Sequence, residues 1–233
     1  MKRKKIKRGG GTIIISLSRD LKKIEEARKT IPDINVKFLY CDVSNTNDLW
    51  ECFKTIEKEY NKVDVFVNNA GTIIPGGTES LSIEAWDIVL KNNLSSYFYT
   101  TKIFTPLLKK SSYPSIINIS SISAKLGGSS IAYSVAKAGV DMITKITAKE
   151  LAKYNIRVNA ISPGMANTGI HVSNGIMSEN EYKAMLKSQE ANYPFGIGES
   201  IDIAEMIYYL STKKAKWIAG ENITIDGGRS INI

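Results

Sequence analysis

Along this chain, short apolar runs alternate with longer stretches in which apolar positions recur every three or four residues. The runs are Thr12–Ser18, Val36–Val43, Val65–Gly71, Ser115–Ser121, Ile156–Gly164 and Ile223–Gly228. They are rich in Ile and Val and close on Ser, Asp, Asn or Gly, the pattern of buried strands. Leu21, Ile24 and Ala27 begin a helical spacing after the first run. Ser82 is placed to cap a long helix running towards Lys109, with Trp86, Val89, Leu90, Leu94 and Phe98 on its apolar face. Further helices are expected through Tyr133, from about Ser178 to Glu190, and through Ile203–Leu210. This alternation predicts an α/β fold: a Rossmann-like, doubly wound and mostly parallel sheet with helices on both faces, the Val65 and Ile117 strands being parallel neighbours.

Open parallel sheets bind ligands beyond the carboxyl ends of their strands. Here those ends are Asn68-Asn-Ala-Gly71, Asn118-Ile-Ser-Ser121 and Ser162-Pro-Gly164, all polar residues or glycine. Tyr133-Ser-Val-Ala-Lys137 supplies candidate chemistry, because residues four apart share a helix face and point a phenol and an ammonium at one place. An unperturbed tyrosine titrates near ~10, and a neighbouring cation favours its phenolate. Asparagine is a poor helix-interior residue, so Asn93 inside the long helix implies a task for its side chain.

Taken in order, Asn68-Asn-Ala-Gly71, Asn93-Leu94, Asn118-Ile-Ser-Ser121, Tyr133-x-x-x-Lys137, Pro163-Gly164 with Thr168, and Asp226-Gly-Gly228 resemble the classical short-chain dehydrogenase/reductase family, from Asn68 to the end of the chain. The resemblance implies hydride transfer between a nicotinamide cofactor and a carbonyl or secondary alcohol. The substrate would be like that of 3-oxoacyl-acyl-carrier reductases or of sugar and polyol dehydrogenases. A non-catalytic family member, acting as a structural or interaction protein, is the alternative. Tyr133 would supply the proton, Lys137 would lower the tyrosine pKa and hold the nicotinamide ribose, and Asn93 would position a relay water. A serine would donate to the substrate oxygen: the N-I-S-S motif picks Ser121, whereas the family's usual distance to the tyrosine picks Ser120. The implied cofactor contacts are Arg19, Asp42, Val43, Asn69, Ala70, Gly71, Tyr133, Lys137, Pro163, Gly164 and Thr168. Arg19 favours NADP, since an arginine just past that strand clasps the 2′-phosphate, while the neighbouring Asp20 leaves NAD open. The resemblance also implies a homo-oligomer, with helices around Asn93–Thr105 and Tyr133–Ala152 at the interface, and a substrate lid over about 169–193.

The family opens with a strand and a T-G-x-x-x-G-x-G turn, whose backbone N–H groups hold the cofactor pyrophosphate. No such turn is present here, and Gly9-Gly-Gly11 is similar to the family's short loop into its second strand. The chain therefore reads as N-terminally truncated, with the first strand missing from mid-sheet and a gap in its place.

One domain, 12–233, is expected after a basic tail, 1–11. The net charge of +8 is concentrated in that tail, in Lys2, Arg3, Lys4, Lys5, Lys7 and Arg8. Without aromatic interleaving or a reader motif it predicts no nucleic-acid partner. No apolar run reaches the ~20 residues that span a bilayer and no leader pattern opens the chain, so a cytoplasmic protein without a membrane partner is expected. Cys41 and Cys52 have no metal or redox spacing and read as small buried hydrophobes, and His171 reads as a surface residue.

Overall fold

The computed structural model describes residues 12–30, 35–169, 172 and 175–231; the basic tail with its glycines, and His171, lie outside the described residues. In chain order the elements are β1 (Ile14–Ser18), α1 (Leu21–Thr30), β2 (Val36–Tyr40), α2 (Thr46–Tyr60), β3 (Val65–Asn68), α3 (Ile83–Leu90), a π-helical turn (Lys91–Ser95) and α4 (Ser96–Leu108). There follow β4 (Ser115–Ile119), α5 (Ser123–Leu126), α6 (Ile131–Leu151), β5 (Arg157–Pro163), β6 (Ala166–Asn167), α7 (Glu179–Gln189), β7 (Gly198–Glu199), α8 (Ser200–Leu210) and β8 (Asn222–Ile225).

The strands β3, β4, β5 and β8 form one parallel sheet in that order, with Val67 opposite Ile117 and Ile161 opposite both Ile119 and Ile223. Helices cover both faces. On one, Ile116 and Val158 pack with Leu108 of α4 and Ala148 of α6; on the other, Ile117 and Ile161 pack with Leu210, Ile203 and Ile207 of α8. Strands buried on both faces carry unbroken apolar runs instead of alternation, which is why these runs stand out in the sequence. The fold is a single-domain, Rossmann-like α/β architecture.

A second parallel pair, β1 and β2, is separate, with Ser16 opposite Phe38. Among the described residues no strand pairs with the remaining edge of β1 or of β3. Side-chain packing joins the two sheets instead: Ile15, Leu17 and Leu39 from the pair and Phe66 from β3 close on Leu49, Phe53, Phe104 and Leu107 of α2 and α4. The same cluster takes in Cys41 and Cys52, both buried and free.

Two elements depart from the sequence expectation. The Val36–Val43 run stops as a strand at Tyr40 because Asp42 turns the chain: its carboxylate accepts from the Ser44 N–H and hydroxyl, and its own N–H donates to Asp48. The long helix does begin at Ser82, which accepts the Ala85 N–H at 3.1 Å, but its hydrogen-bond ladder widens into the π turn around Asn93 before α4 resumes. Such widened turns recur at functional sites.

Candidate active site

Because β3, β4 and β5 run parallel as neighbours, their carboxyl ends share one rim of the sheet. A buried chain of amides fixes the flanking helices to that rim. Asn68 accepts from Thr100 of α4 at 2.6 Å and donates to Asn118 at 2.9 Å, and Asn118 donates to Thr144 of α6 at 2.9 Å. Ser130 caps α6 and accepts the Tyr133 N–H, placing Tyr133 in the first helical turn above the rim.

The Tyr133 phenol is buried, which pushes its pKa up; a hydrogen bond with the Ser121 hydroxyl pulls the other way. Adjacent residues at a strand end face opposite sides. Ser120 accordingly turns away, its buried hydroxyl 2.5 Å from Asp141 Oδ1 and 3.2 Å from the Lys137 carbonyl. Ser121, and not Ser120, is therefore brought to Tyr133.

Lys137 is buried beside them, its Nζ donating to the Ile119 carbonyl at 2.7 Å and to the Tyr97 hydroxyl at 3.2 Å. Burial pushes its pKa down to about 7, against a smaller upward pull from Asp141. The ammonium lies 5.4 Å from the centroid of the Tyr133 ring. Two lysine donors turn towards β4 and α4, so burial dominates the tyrosine and raises its pKa where the sequence predicted a lowered one.

Asn93 clamps the loop after β3. Its amide nitrogen donates to the Thr72 carbonyl at 2.7 Å and to the Val89 carbonyl at 2.9 Å, and its oxygen accepts the Thr72 N–H at 3.2 Å. Asn69, Ala70 and Gly71 stand exposed in that loop. Gly71 has to be glycine for space: a Cβ there would lie 2.5 Å from Asn93 Oδ1 and 4.0 Å from Lys137 Nζ. Gly71→Ala is expected to destabilise the fold by ~1–3 kcal/mol through overpacking, read as a lower denaturation midpoint at unchanged m-value. Unaltered stability would show that the Asn93 clamp yields.

Arg19, just past β1, extends an exposed guanidinium to Asp42 Oδ2 at 3.4 Å and to Asn92 Oδ1 at 3.2 Å. Burial works to raise the Asp42 pKa, but the Ser44 hydrogen bonds and the Arg19 charge hold the carboxyl below its ordinary range. Val43 packs against the cluster of α2 and α4. Pro163 and Gly164 lie at the end of β5, where a Cβ on Gly164 would meet Asp226 Cα at 2.8 Å. The Thr168 and Gly169 N–H groups both donate to the Tyr182 hydroxyl of α7 at 3.3 Å, and the Met165 N–H donates to the Tyr193 hydroxyl at 3.0 Å. Tyr97, Thr72, Tyr182 and Tyr193 went unread in the sequence, because each acts across a long chain separation that no local spacing records. Asp141 carried one signal, standing four residues after Lys137 on the same helical face.

A parallel-sheet rim that holds a half-buried Ser–Tyr pair beside a buried lysine, with an arginine past the end of β1, defines an oxidoreductase site of the dinucleotide-binding class. The adh_short_C2 family model, described as Enoyl-(Acyl carrier protein) reductase, matches residues 4–230. The chain is 33% identical over 195 residues to 3-oxoacyl-(acyl-carrier-protein) reductase FabG of Chlamydia pneumoniae, covering 83% of this chain and 76% of that protein. It is 30% identical over 234 residues to 7alpha-hydroxysteroid dehydrogenase of Bacteroides fragilis, covering 99% and 88%. A short-chain dehydrogenase/reductase of Caenorhabditis elegans, solved with cofactor, superposes with a TM-score of 0.88 at 31% identity, over 96% of this chain and 88% of that one. The chain belongs to the classical short-chain dehydrogenase/reductase family, and is an oxidoreductase that works with a nicotinamide cofactor, NAD or NADP. Because the family match begins at residue 4, it does not establish the expected loss of an opening strand.

The side chains present fit such a cofactor at its two ends. Lys137 has three N–H donors, two engaged on Ile119 and Tyr97 and a third able to reach a ribose hydroxyl, and Arg19 presents an exposed guanidinium suited to a phosphate. Among the described residues there is no glycine-rich turn leading into a helix that would serve the pyrophosphate between them.

Proposed function

We propose that this protein interconverts a ketone and a secondary alcohol with NADP(H), a reading carried by the half-buried Ser121 and Tyr133 beside the buried Lys137 at the strand rim. When bound, the nicotinamide supplies or accepts the hydride. Tyr133, kept protonated at neutral pH by burial, gives its proton to the developing alkoxide, and Ser121 donates a hydrogen bond to the same oxygen. The third N–H of Lys137 holds the ribose, and Asn93 sets the loop after β3 through Thr72. Asn69, Ala70, Gly71, Pro163, Gly164 and Thr168 line the cofactor path, with Asp42 and Val43 at its adenine end. Residues 169–193 act as a lid, tied down where Tyr182 takes the Thr168 and Gly169 N–H groups. The 3-oxoacyl-(acyl-carrier-protein) reductase and the hydroxysteroid dehydrogenase among the relatives support a substrate among 3-oxoacyl thioesters and cyclic or steroidal ketones.

Arg19 supports NADP over NAD. Arg19→Ala is expected to weaken NADPH relative to NADH by ~10-fold or more, as hydrogen bonds to a charged group contribute ~1.5–3 kcal/mol. An equal loss for both nucleotides, measured by fluorescence titration, would show that Arg19 serves only Asp42. The edges of β1 and β3 that no described strand pairs with suit one further parallel strand, and a glycine turn after it would cradle the pyrophosphate. Ile131, Val135, Met142 and Ile146 form an exposed stripe along α6, with Phe98 exposed on α4, which supports a homo-oligomer packed through these helices. The free thiols Cys41 and Cys52 suit the reducing cytoplasm, and no described helix is long and apolar enough to cross a membrane. The test is NADPH oxidation at saturating nucleotide with a 3-oxoacyl thioester, a keto steroid and a cyclic ketone offered in turn. No turnover with any of them, or with their alcohols and NADP, would overturn the proposal.

A further inference from the structure

Tyr97 stands four residues after Asn93, just beyond the π turn, and its side chain is fully buried. Its hydroxyl donates to the Ile119 carbonyl at 3.0 Å, the same carbonyl that takes a Lys137 N–H at 2.7 Å. With its one proton so placed, the Tyr97 oxygen acts as an acceptor, and Lys137 Nζ donates to it at 3.2 Å. The ammonium thus lies between two phenol rings, 4.9 Å from the centroid of Tyr97 and 5.4 Å from that of Tyr133. We propose that Tyr97 is a positioning residue for Lys137: its phenol oxygen and the Ile119 carbonyl fix two of the three N–H directions, aiming the third at the rim. The proposal rests on the reading of Lys137 given above.

A lysine head is a point charge on a flexible stem with rotatable donors, so its aim has to come from its surroundings. The titratable groups that face it are Tyr97 from α4, and Tyr133 and Asp141 from α6. β4 contributes only the Ile119 carbonyl, and the loop after β3 contributes Gly71. Asp141 Oδ1 is held by Ser120 at 2.5 Å, leaving Tyr97 as the side-chain acceptor in contact with Nζ. Burial, with a smaller effect of Tyr133, pushes the Tyr97 phenol well above its ordinary range, so it stays protonated while the lysine titrates. Removing the hydroxyl would leave one ammonium N–H facing carbon in a dry pocket, which disfavours the charged form.

Tyr97→Phe keeps the ring and removes only that oxygen. Carbon-13 NMR of lysine Cε, with the Lys137 resonance assigned by its absence in Lys137→Met, reads the titration directly. The midpoint is expected to fall by about one pH unit or more in Tyr97→Phe, for the loss of a hydrogen bond to a charged group. An unmoved midpoint overturns the proposal. In the unsubstituted protein the Tyr97 Cζ resonance should shift with the Lys137 midpoint, a readout that needs no folded variant; indifference to that titration overturns it equally. In turnover, the alkaline limb of kcat/KM should move to lower pH with Tm held. Tyr133→Phe measured beside it separates the two readings. Full turnover in Tyr133→Phe would be a failure of the site assignment, whereas its loss together with an unmoved limb in Tyr97→Phe would be a failure of this proposal alone.

Discussion

Tyr133→Phe is expected to lower turnover by ~100-fold or more, the usual cost of losing a general acid, while leaving the fold and cofactor affinity close to those of the parent. The ring stays in its buried place at the start of α6, and its contact with Lys137 is made by the ring face, not by the hydroxyl. Only the proton and the hydrogen bond with Ser121 are lost. The effect should therefore fall on kcat, with KM for the nucleotide unchanged. A kcat within a few-fold of the parent would mean that another group delivers the proton, and Ser121 is the hydroxyl left in place to do so.

Weak nucleotide binding is the second large effect, expected of the 233 residues on their own. Arg19 and Lys137 serve the two ends of an extended dinucleotide, and the described residues offer its middle no backbone cradle. Hydrogen bonds to a charged group contribute ~1.5–3 kcal/mol each, so a site without two such donors would forfeit ~3–6 kcal/mol. That is roughly 10²- to 10⁴-fold in affinity, enough to turn a micromolar site millimolar. Titration with NADPH, followed by nucleotide fluorescence and repeated on a version extended upstream by a strand and glycine turn, measures it. Micromolar binding by the shorter version would show that another segment, residues 1–11 included, cradles the pyrophosphate.

The strands of the larger sheet were readable because burial on both faces leaves an unbroken apolar signature, and the cap at Ser82 because its side-chain oxygen satisfies a helix N–H group within three residues. The family motifs located the rim, and the alternation of strand faces distinguishes Ser121 from Ser120 once β4 is seen. The π turn was not readable. Apolar spacing reports which face is buried, and one extra residue in a ladder shifts that spacing by less than the tolerance of the pattern. Nor was the direction of the tyrosine pKa: helical spacing brought Lys137 near Tyr133, but the aim of its ammonium depends on Ile119 and Tyr97, which reach it from other elements. Among the described residues β1 and β2 pair apart from the larger sheet, and no property of the residues that flank the break announced it.

The π turn also makes chain length a constraint in a way that residue identity is not. An α-helix advances about 100° per residue, so the widened turn at Lys91–Ser95 sets the rotational phase between α3 and α4. Excising one residue from α3, with the widened turn kept, would swing everything downstream by about that angle. Tyr97 would leave the Ile119 carbonyl, Thr100 would leave Asn68, and Phe104 would turn out of its cluster, all without any of those residues being changed. Outside the turn itself, the segment between the Ser82 cap and Lys109 therefore tolerates substitution at its exposed positions but not a change of count.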